Sequence, residues 1–165
     1  MGVSGTDVSL ATATDTGPLP MGRERTEMTD NDVEWWAGRG AGALAEKMGI
    51  EIVEFDREHA VARMPVEGNT QPIGLLHGGA YCVLGESLGS MHANYLARLG
   101  GEHRVAVGVD INATHTGSAT GGYVTGTARV IHSGRTLTVH EIVVTDENGR
   151  RCSTLRITNL IKDAK

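Results

Sequence analysis

Residues 71–90 read Gln71-Pro72-Ile73-Gly74-Leu75-Leu76-His77-Gly78-Gly79-Ala80-Tyr81-Cys82-Val83-Leu84-Gly85-Glu86-Ser87-Leu88-Gly89-Ser90, and their reading decides how the rest of the chain is arranged. Gln71 to Gly74 is a turn and His77-Gly78-Gly79 a glycine-flanked entry. A long proline-free run of small and apolar residues follows, the pattern of a helix start leading into a buried helix. Between Gly74 and Ala97 the only acid is Glu86, and no Lys or Arg occurs before Arg98. A lone carboxylate in an apolar helix is expensive to bury without a reason. The first helical amides after His77 have no intrahelical acceptor and carry the positive end of the helix dipole, so they suit a developing oxyanion. One segment thus offers an electrophile-polarising end and a carboxylate base.

Helix geometry separates the two. At about 1.5 Å per residue, Gly78 and Glu86 lie roughly 12 Å apart along one axis, whereas a base works within about 3 Å of its target or through one water. If both act on one carbonyl, Glu86 comes from a second copy of the helix packed alongside. Ser90, at i+4 from Glu86, shares its helical face and could orient the carboxylate or a water. Gln71, on the loop before the helix, could do likewise.

On either side of this segment the pattern changes to period two. Ile50 to Phe55 and His59 to Met64 read as a strand pair joined by the polar turn Asp56-Arg57-Glu58. The helix ends near Gly100-Gly101, and Arg104–Ala113, Gly122–His132, Thr136–Thr145 and Arg151–Leu160 read as four longer strands. Ser133-Gly134-Arg135 and Glu147-Asn148-Gly149 form the last two turns. A long helix followed by antiparallel strands is an α+β layout with the helix across one sheet. The small residues Gly85, Gly89 and Ala93 are expected to face another protomer.

Residues 1–30 are rich in Gly, Thr, Ser and Asp without apolar periodicity, and read as a disordered tail or an overlong gene start ahead of a domain at 31–165. The first basic residue is Arg23, which leaves no secretory or arginine-rich transit pattern. Thr29 to Asp32 resembles a capping box opening a short helix with Trp35 and Trp36; the glycines at 38, 40 and 42 set it apart from Ala43–Met48.

Bulk properties exclude several classes. A chain of 165 residues, 39% of them hydrophobic, suits one domain with its own core. A net charge of −5 argues against nucleic acid as a partner, and the lack of a long apolar run argues against a membrane span. Cys82 and Cys152 make no disulfide framework and are expected reduced in the cytoplasm. The seven histidines, His59, His77, His92, His103, His115, His132 and His140, show no His-x-x-x-His spacing, and there is no Cys-x-x-Cys, so no metal is expected. No phosphate loop of the kinase or dinucleotide type is present.

Gln71, His77-Gly78, Glu86 and Ser90 together resemble the loop and central helix of the hotdog-fold thioesterases of the phenylacetate-type branch. The likeness spans Val33 to Ile161 and is nearest to 4-hydroxybenzoyl-CoA thioesterase and to the 1,4-dihydroxy-2-naphthoyl-CoA hydrolase of menaquinone synthesis. Ile111-Asn112-Ala113-Thr114-His115 and Asp146-Glu147-Asn148-Gly149-Arg150 extend it. The resemblance implies a hotdog fold, with an antiparallel sheet wrapped around a long helix. It implies hydrolysis of an acyl- or aroyl-CoA thioester, with no cofactor beyond the coenzyme A of the substrate. Active dimers are implied to pair into a homotetramer. Glu86 is then base or nucleophile, Gly78 the oxyanion donor, His77 the residue holding the loop, and Gln71 and Ser90 orienting groups. Gly79 and His115 would line the acyl or pantetheine region. Ser133, Gly134, Arg135 and Thr136 would meet the nucleotide and phosphates of coenzyme A.

Blander readings stand beside these. Glu86 also reads as a buried acid satisfied locally, His77 as a helix-entry residue, Gly79 as a steric necessity, His115 as a polar strand end and Ser133–Thr136 as a solvated hairpin turn. The rival function is a catalytically silent acyl-CoA-binding module on the same scaffold. A hotdog dehydratase fits less well, because the 71–90 stretch has no Asp.

Overall fold

The computed structural model describes residues 41–101 and 103–164, so the tail and the expected Trp35-Trp36 helix lie outside the described residues. The elements are α1 (Ala43–Lys47), β1 (Glu51–Phe55), β2 (His59–Pro65), α2 (Gly78–Leu99), β3 (Arg104–His115), β4 (Tyr123–Ser133), β5 (Leu137–Asp146) and β6 (Arg151–Asp163). The six strands form one antiparallel sheet in the order β1-β2-β4-β5-β6-β3. Strand β3 leaves the helix and crosses to the far edge, where it pairs with β6 along nearly its whole length.

The expected alternation sets the inner face. Thr138, His140, Ile142 and Val144 of β5 point under α2, as do Leu155, Ile157 and Asn159 of β6, and Ala60, Ala62 and Met64 of β2. Tyr81, Leu84 and Leu88 fill the space above them. Among the described residues no helix is long and apolar enough to cross a membrane.

The small residues of α2 do not face outward. A Cβ on Gly89 would lie 2.5 Å from Ile157 Cγ2, one on Gly85 would lie 2.8 Å from Leu155 Cδ2, and Ala93 is fully buried. These positions let the helix approach its own sheet, which corrects the expectation that they pack against a second protomer. Periodicity shows that a stripe is small; it does not show which surface meets it. Gly89→Ala should therefore destabilise by about 1–3 kcal/mol through overpacking against a buried β-branched side chain, outweighing the roughly 1 kcal/mol gained in helix propensity. Thermal unfolding checks this, with Gly85→Ala expected to cost less because Leu155 can change rotamer.

Two histidines cross the core. His92 Nδ1 and His140 Nε2 are 3.1 Å apart, and His92 Nε2 lies 2.9 Å from the Asp56 carbonyl oxygen. The carbonyl can only accept, so His92 carries its proton on Nε2 and accepts at Nδ1 from His140 Nε2–H. Both rings are fully buried. Desolvation, with His92 adding to it, holds His140 down at about 4, and desolvation also lowers His92. The unfolded chain takes these protons near the ordinary value of 6.5 and the folded chain does not, so acid favours unfolding. Stability should be whole above about pH 6.5 and lost as pH falls toward about 4, by up to about 3 kcal/mol. Ring-proton NMR should show the His140 ring still largely neutral at about pH 5, and the His92 midpoint below the ordinary histidine value. If the His140 ring titrates near 6.5, the account of the buried pair is wrong.

Candidate active site

The loop before α2 is built to aim its first turn. Thr70 bridges Leu76, the Gln71 N–H donates to the Leu75 carbonyl at 2.8 Å, and Gly74 turns the chain with φ of 80°. The His77 N–H donates to the Asn69 carbonyl at 2.9 Å, and the Asn69 side-chain amide donates to the Met48 and Pro65 carbonyls, both at 2.9 Å. Asn69 thus ties the loop to β2 and to the end of α1. Sequence reading missed it, since Gly68-Asn69-Thr70 signals only a turn.

His77 is the N-cap, with extended φ and ψ of −65° and 134°, and its Nδ1 accepts the Gly79 N–H at 2.8 Å. Its carbonyl accepts the Ala80 N–H at 2.9 Å and the Tyr81 N–H at 3.4 Å. Of the first-turn amides, the Gly78 N–H is the one without an acceptor among the described residues. Gly79 is therefore occupied by the cap and Gly78 is available.

His115 comes to the same point from β3. A Cβ on Gly78 would sit 3.1 Å from His115 Nε2, so the imidazole lies directly over the helix start. The ring packs against Tyr81 with centroids 5.2 Å apart. Its Nδ1 lies 2.9 Å from Ser153 Oγ, and that hydroxyl donates to the Thr114 carbonyl at 3.4 Å. With the hydroxyl proton committed there, Nδ1–H of the neutral ring donates to Ser153 and Nε2 is left without a proton beside the Gly78 Cα. An open pocket of about 380 Å³ adjoins this end, lined by Met48, Asn69, Thr70, His77, Gly79 and Val83.

Glu86 stands two turns along α2, half-buried against edge strand β3. Among the described residues its carboxylate has no hydrogen-bond or ion-pair partner, and desolvation pushes its pKa above the ordinary glutamate value. Ser90 is half-buried one turn further on, its carbonyl accepting from the Asn94 amide at 3.0 Å. Gln71 is half-buried on the loop.

The Ser133–Thr136 turn is at the opposite end of the helix. A pocket of about 460 Å³ there is lined by Arg57, Leu96, Gly100, Arg104, Ser133 and Gly134, and the Arg104 guanidinium donates to the Arg135 carbonyl. In one chain this turn lies roughly 30 Å along the helix axis from Gly78. His77, Gly78, Gly79 and His115 are thus brought together, Glu86 and Ser90 form a second position, and Ser133–Thr136 a third. Arg57 and Arg104, which sequence reading missed, join the third through tertiary folding. Their only sequence signal is a cation in a turn and another just after Gly100-Gly101. Among the described residues no group of three or more His, Cys, Asp or Glu is placed to hold a metal.

Residues 73–153 match the family model described as the thioesterase superfamily. The proofreading thioesterase EntH of Cronobacter turicensis is 43% identical over 121 residues, which span 73% of this chain and 86% of that protein. The chain belongs to the thioesterase superfamily. The crystal structure of a mutant of the Pseudomonas aeruginosa thioesterase PA1618 superposes with a TM-score of 0.73 at 34% identity, covering 84% of this chain and 97% of that one. A hypothetical thioesterase from Streptococcus pneumoniae, crystallised with coenzyme A, shares the fold with a TM-score of 0.65 at 18% identity, over 74% and 93% of the two chains. The thioesterase described here therefore has the hotdog fold, with α2 as its central helix, and its class of chemistry is thioester hydrolysis.

Proposed function

We propose that this thioesterase hydrolyses an acyl- or aroyl-CoA thioester to the free acid and coenzyme A, at a site shared by two copies of the chain. The observation that carries the reading is the Gly78 amide at the positive end of α2 and the Glu86 carboxylate roughly 12 Å further along the same helix, both without a partner among the described residues. The thioester carbonyl oxygen accepts the Gly78 N–H of one protomer. Glu86 of the other takes a proton from water, whose oxygen adds to the carbonyl carbon. The tetrahedral oxyanion is held by the amide and the helix dipole, then collapses and expels the coenzyme A thiolate, which takes up the proton. In the alternative route Glu86 attacks the carbonyl, the thiolate leaves, and water opens the resulting anhydride. Single turnover in heavy-oxygen water tests the anhydride: label in Glu86 requires it, whereas label in product alone fits general-base hydrolysis or opening of the anhydride at the acyl carbon. Gln71 and Ser90 orient the water or carboxylate.

Assembly follows from the placement of Glu86. It lies over an edge strand whose Val107 and Val109 are exposed, so a second copy set against β3 would bring its own helix start within reach. Two equivalent sites per dimer, and dimers paired into a homotetramer, complete the proposal. Coenzyme A arrives with the substrate and no further cofactor is needed. Its nucleotide and phosphates meet the Ser133–Thr136 turn, where Arg57 and Arg104 add positive charge. Arg135→Ala should raise KM with little change in kcat, as loss of uniform binding does. An unchanged KM would return Arg135 to the solvated-turn reading. Thiol release should be assayed first with aroyl groups of the hydroxybenzoyl and 1,4-dihydroxy-2-naphthoyl type, then with phenylacetyl- and fatty-acyl-CoA. Release from none of them would put the silent binding module ahead.

A further inference from the structure

Gly108, in β3, has an ordinary strand backbone, since it is not among the glycines with positive φ. Glycine weakens a strand interior, and one not required by the backbone marks a place where something comes close. What comes close here is Glu86. A Cβ built on Gly108 would lie 2.5 Å from Glu86 Oε1, and the next nearest atoms are Glu86 Cδ and Oε2, both at 3.3 Å. The carboxylate thus occupies the volume that any side chain at position 108 would fill.

The surrounding contacts hold this stretch of strand against the helix. The Asn94 side chain, two turns beyond Glu86, donates to the Ala106 carbonyl at 2.8 Å and accepts the Ala106 N–H at 2.9 Å. The same amide nitrogen donates to the Ser90 carbonyl at 3.0 Å. Two residues after that clamp, the register with β6 shifts between Gly108 and Asp110, leaving Val109 as the extra residue of a bulge. Bulges re-aim the strand beside functional groups. From these contacts we infer that Gly108 is a positioning residue for Glu86: by lacking a side chain it lets the carboxylate lie flat against the β3 backbone, half out of water, at the height the reaction needs. The inference rests on the reading of Glu86 as the catalytic carboxylate, and its geometric half stands without that reading.

The three nearest atoms all belong to the far end of one flexible side chain, so Gly108→Ala should move the carboxylate and leave the fold intact. Thermal unfolding should show no loss of stability, while kcat falls at least tenfold and KM changes less than about twofold. Desolvation is what raises the Glu86 pKa, so a carboxylate pushed toward water should titrate lower, and the acidic limb of the pH–rate profile should shift to lower pH with it. Glu86→Asp, one methylene shorter, should cost less activity in the Gly108→Ala background than in the unsubstituted enzyme, a coupling that only a shared volume produces. Carbon-13 titration of the Glu86 carboxyl in Gly108→Ala reads the same displacement without turnover. A titration midpoint unchanged from the unsubstituted protein overturns the positioning role. So does a variant that fails to fold, because the added methyl would then be meeting backbone and not a movable carboxylate. If Glu86→Ala remains active while Gly108→Ala still lowers the midpoint, the catalytic assignment of Glu86 fails and the geometric one stands.

Discussion

Replacing Glu86 with alanine should lower kcat by about 10²–10⁴, the range supplied by a positioned acid–base group, while the protein stays folded. The fold should tolerate the change because the carboxylate has no hydrogen-bond partner among the described residues to leave orphaned. Burial disfavours its charged form, so removing it relieves a desolvation cost and should leave stability equal or slightly higher. Glu86→Gln keeps the shape without the basicity and should be as inactive. The pH dependence follows with a definite sign. A base works deprotonated, so kcat/KM should rise with pH through the Glu86 titration, at a midpoint above the ordinary glutamate value. A rate within about tenfold of the unsubstituted enzyme would remove Glu86 from the mechanism.

The helix and the strands were legible in the chain because their signals are local. A run without proline or cations from His77 to Ala97 admits little but a buried helix, and α2 spans Gly78–Leu99. Thr136–Thr145 reads as a strand, and β5 spans Leu137–Asp146 with positions 138, 140, 142 and 144 buried in alternation. Alternation says which face a residue takes and is silent about its neighbour. The pairing of β3 with β6, and so the exposure of β3 at the sheet edge beside Glu86, appears only in the folded chain. The same limit explains Gly85 and Gly89, whose stripe was visible and whose partners, Leu155 and Ile157, lie about 70 residues away. In the site, His77, Gly78 and Glu86 stood out because a cap, an orphan amide and a lone acid are each unusual by local rules. Asn69, Asn94 and Gly108 carry no such mark. Asn69 reaches Met48 across 21 positions and Asn94 reaches Ala106 across 12, and neither contact is written in a spacing. Gly108 is informative only once the Glu86 carboxylate is seen to fill the space beside it.

Mixing two inactive forms of this thioesterase should restore activity. Gly78→Pro removes the amide hydrogen, and the local geometry suits proline: position 78 is the first helical residue, and His77 before it is already extended at ψ of 134°. The His115 ring, 3.1 Å from a Cβ at that position, must give by a few tenths of an ångström, so the variant should first be shown to fold. Alone it lacks the oxyanion donor, and Glu86→Ala alone lacks the base. In a mixed dimer with shared sites, one site combines both defects and the other has neither, so each heterodimer should recover up to half the activity of the unsubstituted dimer. A site confined to one chain cannot do this, because every chain in the mixture carries a lesion. The geometry leaves little room between these outcomes, since roughly 12 Å along α2 separates the two groups and hydrogen-bond reach is about 3 Å. If both single variants are folded and inactive, and labelled subunits are seen to exchange, continued inactivity of the mixture would show that Gly78 and Glu86 do not meet across the interface.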